Sequence, residues 1–134
     1  MSWTQQDHNP AFNTDLVGCG TSCDAYQGNE SCTQPLPILC LNQTGAPNPG
    51  IATNFYHGWA AGTVGLTPPV TGCLTHSVEE ADALCVKNLG PGYRMGEHHD
   101  GGGGWNWWAY GNLPTGSEFW AFINDQTDGN CFPL

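Results

Sequence analysis

The clearest alternation of apolar and polar positions lies between residues 77 and 91. Apolar side chains recur there at spacings of three and four, at Val78, Ala81, Cys85 and Leu89. Ser77 is a good N-cap, and Glu80 three residues later completes a capping box. Gly90 can take the backbone conformation that ends a helix, and Pro91 prevents continuation. We therefore predict a helix from about Val78 to Leu89, with Cys85 on its buried face.

Aromatic segments with strand composition follow the helix, at 105–110 and 118–123. The seven residues between them are turn formers, so an antiparallel pair with a long loop is the simplest arrangement. Gly101 to Gly104 form a flexible or tightly turned approach to the first of these strands. A helix followed by strands predicts an α+β fold, with the helix packed on one side of an antiparallel sheet.

The first 75 residues contain turn formers throughout and predict irregular structure. Two short apolar runs there are candidate strands, at 36–41 and 55–66, and Pro37 would restrict the first to a sheet edge. We expect a single domain over residues 1–134. It would have an N-terminal arm (1–18), an irregular cysteine-rich part (19–75) and a helix-and-sheet part (76–134).

Charge narrows the set of partners. Lys and Arg together number two and Asp and Glu together number twelve, which gives a net charge of -10. Such a surface repels phosphate backbones and anionic lipid headgroups, so we expect no nucleic-acid partner. No apolar run approaches the ~18 residues that a bilayer-spanning helix needs, so we expect no membrane insertion.

Seven cysteines in 134 residues favour a disulfide-stapled, secreted protein, with one cysteine left over. They are Cys19, Cys23, Cys32, Cys40, Cys73, Cys85 and Cys131. Their pairing does not follow from the sequence. Structural zinc is the alternative for Cys19 and Cys23, whose spacing a zinc site tolerates. Sequons at Asn29 and Asn42 also favour secretion. Residues 1–6 lack the regions of an export signal, as expected of a mature secreted chain.

Two polar clusters could bind a metal ion. The first is Glu97-His98-His99-Asp100, whose carboxylates and imidazoles suit a divalent ion, although a solvated loop is the alternative. The second contains Asn124, Asp125 and Asp128. Its crowded side-chain oxygens suit calcium, and they equally suit an Asx-turn.

Tryptophans supply the third candidate feature. Within 105–110, Trp105 and Trp107 would share one face of a strand and Trp108 would take the other. Most tryptophans in a small domain fill the core, but this run predicts at least one exposed ring. An exposed ring can stack on a sugar, with neighbouring polar side chains bonding to its hydroxyl groups.

Several segments of the second half carry a family likeness. They are Ala83-Leu84-Cys85, Gly92-Tyr93-Arg94-Met95, the tryptophan run, Gly111-Asn112-Leu113-Pro114, and Ile123-Asn124-Asp125 before Cys131. With these, about residues 75–131 resemble a C-type-lectin-like domain. The resemblance implies a Cys85–Cys131 bridge and a calcium- and sugar-binding site at Asn112, Asn124 and Asp125, with Glu118 as a further candidate. The stretch from Arg94 to Trp107 is also similar to secreted bacterial proteins, which implies a surface location.

We therefore expect an extracellular or cell-surface module that binds glycan, with Ca²⁺ as the candidate cofactor. Its ligand-binding candidates are Trp105, Trp107, Trp108, Asn112 and Glu118. The alternative is a structural subunit that assembles with other copies of itself into a filament or surface layer, which the odd cysteine and the aromatic residues would suit. A metal-dependent enzyme centred on Glu97, His98, His99 and Asp100 ranks last.

Overall fold

The computed structural model of this chain describes residues 1–19, 24 and 26–133. One α-helix and nine strands are found in these ranges. In chain order they are β1 (Ser2–Asn9), β2 (Thr14–Gly18), β3 (Pro35–Leu36), β4 (Leu39–Asn42), β5 (His57–Leu66), β6 (Val70–Thr71), α1 (Val78–Leu89), β7 (Tyr93–Met95), β8 (Asn106–Tyr110) and β9 (Glu118–Trp120). Short 3₁₀ turns span Gly72–Leu74 and Thr127–Gly129.

Seven of the strands form one mixed sheet, in the order β7-β4-β5-β8-β2-β1-β9. Its neighbours are antiparallel except for the parallel pair β5 and β8. β3 and β6 form a separate two-stranded ladder. The predicted helix is confirmed with the predicted bounds. Ser77 Oγ accepts the Glu80 N–H at 3.2 Å, and the Glu80 carboxylate accepts the His76 N–H at 2.8 Å.

Apolar side chains cover both faces of β4. Leu39 and Leu41 enter a core cluster that contains Trp3, Val17, Trp107 and Phe119. Cys40 points the opposite way, into a second cluster with Ala81 and Cys85 of α1. A disulfide between Cys40 and Cys85 fastens the helix to this face of the sheet.

The prediction of an irregular N-terminal half is wrong, although its two candidate strands, at 36–41 and 55–66, overlap β4 and β5. Residues 1–18 are not an arm, because β1 and β2 form a hairpin that lies between β8 and β9. β1 was missed because Trp3 is its only large apolar side chain, so it lacks an alternating pattern. The Asn9 side chain accepts the backbone N–H groups of Ala11 and Phe12 and shapes the turn.

Two strand assignments also need correction. The segment from Leu39 is not at a sheet edge, since β4 pairs with β5 on one side and β7 on the other. Pro37 precedes this strand and so removes no donor from its ladder. The antiparallel pairing predicted for β8 and β9 is absent, because the β1–β2 hairpin lies between them.

The disulfide implied by the lectin resemblance is wrong. Cys85 pairs with Cys40, and Cys131 pairs with Cys32, each at a Cα separation of 5.7 Å. α1 turns Cys85 toward β4, whereas Cys131 follows a 3₁₀ turn outside the main sheet. Cys19 is also disulfide-bonded. Cys23, the second residue of the zinc alternative, lies outside the described residues. Within those residues, Cys73 is the free, exposed cysteine.

No helix in the described ranges combines the length and the apolar character needed to cross a membrane.

Candidate functional site

Two backbone segments that follow different strands run side by side. After β7, Gly96 accepts the backbone N–H of Phe122 at 2.9 Å. One step further, the His98 N–H donates to the Phe122 carbonyl at 3.0 Å. These bonds form an isolated parallel bridge between Glu97 and Phe122, and from there the chain runs on to residues 124 and 125, beyond β9. This bridge joins the two polar clusters that the sequence assigns to separate ions.

Ligand atoms of His98, His99 and Asp125 all lie within 4.8 Å of one another. The His98 Nε2 atom is 3.3 Å from Asp125 Oδ1. The two imidazoles stack, with ring centroids 3.7 Å apart. His98 is fully buried, whereas the Asp125 side chain is 45% exposed. A buried imidazole therefore lies beneath a partly exposed carboxylate.

The two ring nitrogens of His98 have no hydrogen-bond partner among the described residues. The contact to Asp125 has the distance of an ion pair without the geometry of a hydrogen bond, and neither ring nitrogen has another partner among the described residues. Burial lowers the pKa of the imidazole, and repulsion from His99 acts in the same direction. The attraction of Asp125 opposes both effects. His98 is thus held toward its neutral form, the form that ligates a metal.

The other members of the two predicted clusters do not belong to this ligand group. Asp100 forms a bidentate ion pair with Arg94, at 2.7 and 3.1 Å. Glu97 accepts the Asn124 side-chain amide at 3.0 Å. Asp128 is exposed in the 3₁₀ turn and does not belong to the ligand group found among the described residues.

Tyr26 is a member of this site that the sequence did not reveal. Its hydroxyl donates to Asp125 Oδ2 at 3.3 Å. Its ring makes edge contacts with His98 and Trp105, at centroid distances of 6.1 and 5.8 Å. Tyr26 lies in a segment without periodicity, so no local pattern marked it.

A groove of about 400 Å³ opens beside the imidazoles, lined by Phe55, His99, Gly102 and Gly103. The glycine run closes tightly on the segment before β5, where the Gly104 N–H donates to the Phe55 carbonyl at 2.6 Å. This supports the tightly turned form of the two approaches expected for Gly101 to Gly104.

The tryptophans of the 105–110 segment separate by face, as their spacing predicts. Trp107 is fully buried in the core and Trp105 packs partly buried against that core. As it stands, Trp107 cannot stack on a ligand, so its assignment as a ligand-binding residue is withdrawn. Trp108 is half-buried on the opposite face. It pairs in register with Trp59 of β5, and both rings lie on this less buried face.

Trp108 borders a groove of about 480 Å³ formed with the β1–β2 turn and residues 50–52. The polar groups that line it are Asp7, His8 and Asn9. Beneath them, Asp15 is fully buried and accepts His8 Nδ1 at 2.8 Å and Gln5 Nε2 at 3.1 Å. Leu113 N–H bonds to its other oxygen at 2.8 Å. The sequence does not predict this imidazole–carboxylate pair, because its members lie on the two strands of a hairpin that has no clear strand pattern.

The remaining predicted residues do not join either groove. Asn112 is exposed between β8 and β9. Glu118, on β9, accepts a hydrogen bond from the Ser2 hydroxyl on β1. Within the described chain, no hydrogen bond or ion pair links either residue to Asn124 or Asp125. Of the sequon residues, Asn29 is exposed and bonded to Ser2, while Asn42 is half-buried inside the sheet on β4.

Comparison with protein-family models, curated proteins and solved structures finds no match to this chain. The likeness to C-type-lectin-like domains therefore stays a prediction, and the two grooves are interpreted from their own chemistry.

Proposed function

We propose that this protein is an extracellular carbohydrate-binding module whose ligand lies in the groove beside Trp108. The observation that carries the proposal is a half-exposed indole bordering a groove with a carboxylate, an imidazole and an amide around it. Apolar surface for a sugar ring and polar groups for its hydroxyls are the two requirements of such a site.

The polar side of the groove is preorganised. Because Asp15 accepts Nδ1 of His8, a ligand would meet the Nε2 atom of an imidazole whose orientation is already fixed. Asp7 and Asn9 flank it on the same strand. Groups that are held before the ligand arrives lose little conformational entropy on binding, which favours affinity.

Charge selects among sugars. The net charge of -10 and the carboxylate of Asp7 in the groove disfavour sulfated or uronic-acid glycans. We therefore propose neutral glycans as the ligand class. The disulfides support an oxidising compartment, and hence secretion.

A glycan array probed with the wild-type protein, Trp108→Ala and Phe55→Ala tests this proposal. Phe55 is 67% exposed and lies outside the Trp108 groove, so its removal controls for loss of an exposed aromatic ring. We expect binding to neutral glycans by the wild type and Phe55→Ala, and none by Trp108→Ala. A blank wild-type array, or loss through Phe55→Ala alone, would contradict the proposal.

A second candidate function is self-association, favoured by the exposed thiol of Cys73 beside Leu74, which is 70% exposed. Oxidised glutathione would accept two electrons and two protons from the Cys73 thiols of two chains. The products are one intermolecular Cys73–Cys73 disulfide and two molecules of reduced glutathione. Intact mass spectrometry should then show a covalent dimer that Cys73→Ser cannot form. If the sole product is a monomer that carries glutathione, covalent assembly through Cys73 is excluded.

A further inference from the structure

We infer that His98, His99 and Asp125 form a binding site for a divalent transition-metal ion of the zinc type. No residue lining the Trp108 groove takes part, so this inference stands independently of the carbohydrate proposal.

The buried imidazole of His98 is the observation that points to an ion. A buried polar side chain is normally hydrogen-bonded, and leaving it without a partner is energetically costly. His98 is fully buried, yet neither nitrogen makes a hydrogen bond among the described residues. A metal ion bound to Nε2, on the side of Asp125, would satisfy this atom.

The spacing of the donors fits a small ion. Two donors on a tetrahedral metal with bonds of about 2.0–2.1 Å are separated by about 3.3 Å. His98 Nε2 and Asp125 Oδ1 have a separation of 3.3 Å. All three ligand atoms are within 4.8 Å, so only the His99 donor must close in. The His99 ring stacks on that of His98, and its partly exposed side chain would turn toward the ion.

The donor set selects the class of metal. Calcium prefers six to eight oxygen ligands, and the ligand group here offers two nitrogens and one carboxylate. Imidazole with carboxylate suits Zn²⁺, Cu²⁺ and Ni²⁺. The calcium expected from the sequence is accordingly replaced by a softer ion at a different set of residues.

Neighbouring residues hold the ligands in place. Tyr26 donates to Asp125 Oδ2 and leaves Oδ1 for the ion, the kind of outer contact that orients carboxylate ligands. The Arg94–Asp100 ion pair closes the loop that carries both histidines. Three protein ligands leave a fourth position for water or a small ligand, and His99 lines the adjacent groove.

Calorimetric titration with Zn²⁺ tests the inference, using untagged protein first treated with EDTA and then dialysed. The Cys73→Ser background removes an exposed thiol that would bind the same metals. We expect one equivalent of Zn²⁺ to bind and Ca²⁺ to give no heat. His99→Ala and Asp125→Asn should each weaken Zn²⁺ binding about ten-fold or more, since the first removes an imidazole ligand and the second the negative charge of the carboxylate ligand.

Matched controls are His76→Ala and Asp128→Asn, which remove an exposed imidazole and an exposed carboxylate outside the cluster and should leave the affinity unchanged. Imidazole NMR signals of His98 and His99 should shift with Zn²⁺, while those of His8, His57 and His76 stay in place. His98→Gln should abolish Zn²⁺ binding. If this variant at a buried position fails to fold, His99→Ala and Asp125→Asn still test the site. Absence of Zn²⁺ binding, or wild-type affinity in both His99→Ala and Asp125→Asn, would overturn the inference.

Discussion

The Nε2 atom of His98 lies 3.3 Å from the Oδ1 atom of Asp125, although the two residues come from separate segments beyond β7 and β9. Pairing of Glu97 with Phe122 brings them together. The contact brings one residue of the histidine-rich cluster next to one residue of the oxygen-rich cluster, and the proposed transition-metal site is built on this pair.

Removing the Tyr26 hydroxyl should weaken that site without unfolding the protein. Tyr26→Phe keeps the ring contacts to His98 and Trp105 and deletes only the hydrogen bond to Asp125. We expect Zn²⁺ affinity to fall about ten-fold, as for other residues that orient a metal ligand. Tyr56→Phe, on an exposed ring outside the cluster, is the calorimetric control. Equal affinities in the two variants would remove Tyr26 from the site.

The Arg94–Asp100 ion pair should matter strongly for stability. The Asp100 side chain is 3% exposed, so Arg94→Ala would leave a buried carboxylate without its partner. We expect the free energy of unfolding to fall by about 3 kcal/mol, and by about 1 kcal/mol for Arg94→Lys, which loses only the bidentate geometry.

Urea denaturation measures both Arg94 variants, with Lys87→Ala as the control. Lys87 is exposed, and its loss should cost less than about 0.5 kcal/mol. A loss for Arg94→Ala no larger than for Lys87→Ala would mean that Asp100 is not stabilised by this pair.

Close backbone contact between β5 and the glycine loop predicts intolerance at Gly58. A Cβ atom there would overlap the carbonyl oxygen of Gly101, so Gly58→Ala must displace the loop behind the two histidines. We expect a loss of about 2–3 kcal/mol in stability. Gly28→Ala is the matched control, since its Cβ would meet only Asp128 O at an ordinary 3.4 Å. Similar melting temperatures for the two alanine variants would contradict the close approach.

Asp82 should make stability depend on pH in mild acid. Burial raises the pKa of its carboxyl above the ordinary 3.8, although the Met95 N–H and Arg94 act in the opposite direction. The folded state therefore binds this proton more tightly than the unfolded chain does. The resulting stabilisation is fully present below pH 3.8 and is lost as pH rises through the raised pKa.

Asp82→Asn retains an oxygen that can accept the Met95 N–H, and it removes the charge. Relative to wild type, its free energy of unfolding should therefore increase between about pH 3.5 and 6. Urea denaturation across that range measures the difference, and Asp128→Asn, on an exposed carboxylate away from Asp82, controls for the loss of one charge. A difference that stays constant with pH would show that Asp82 does not titrate abnormally.

Local signals predicted local structure correctly. The cap at Ser77, the apolar spacing up to Leu89 and the stop at Gly90 lie within one short segment, so the helix could be predicted to the residue. β1 could not, because its polar side chains satisfy one another across the sheet, as Gln5 does with Asp15. Strand pairing and disulfide partners depend on long-range contacts that no local spacing encodes.

The candidate sites show the same division. The two polar clusters were recognised by their composition, but their convergence depends on the pairing of residue 97 with residue 122. Trp108 was expected to face away from Trp107 because alternation along a strand is local. Its groove partners His8 and Asp15 needed the β1–β2 hairpin, which the sequence pattern did not reveal.

The most direct test of the carbohydrate-binding proposal is an NMR titration that follows the indole N–H signals of the six tryptophans. The probes are neutral hexasaccharides of glucose, mannose and N-acetylglucosamine. We predict that at least one shifts the Trp108 signal while the buried Trp3 and Trp107 signals stay in place. Unchanged indole signals with all three sugars, or shifts of other indole signals without a shift at Trp108, would contradict binding in the Trp108 groove.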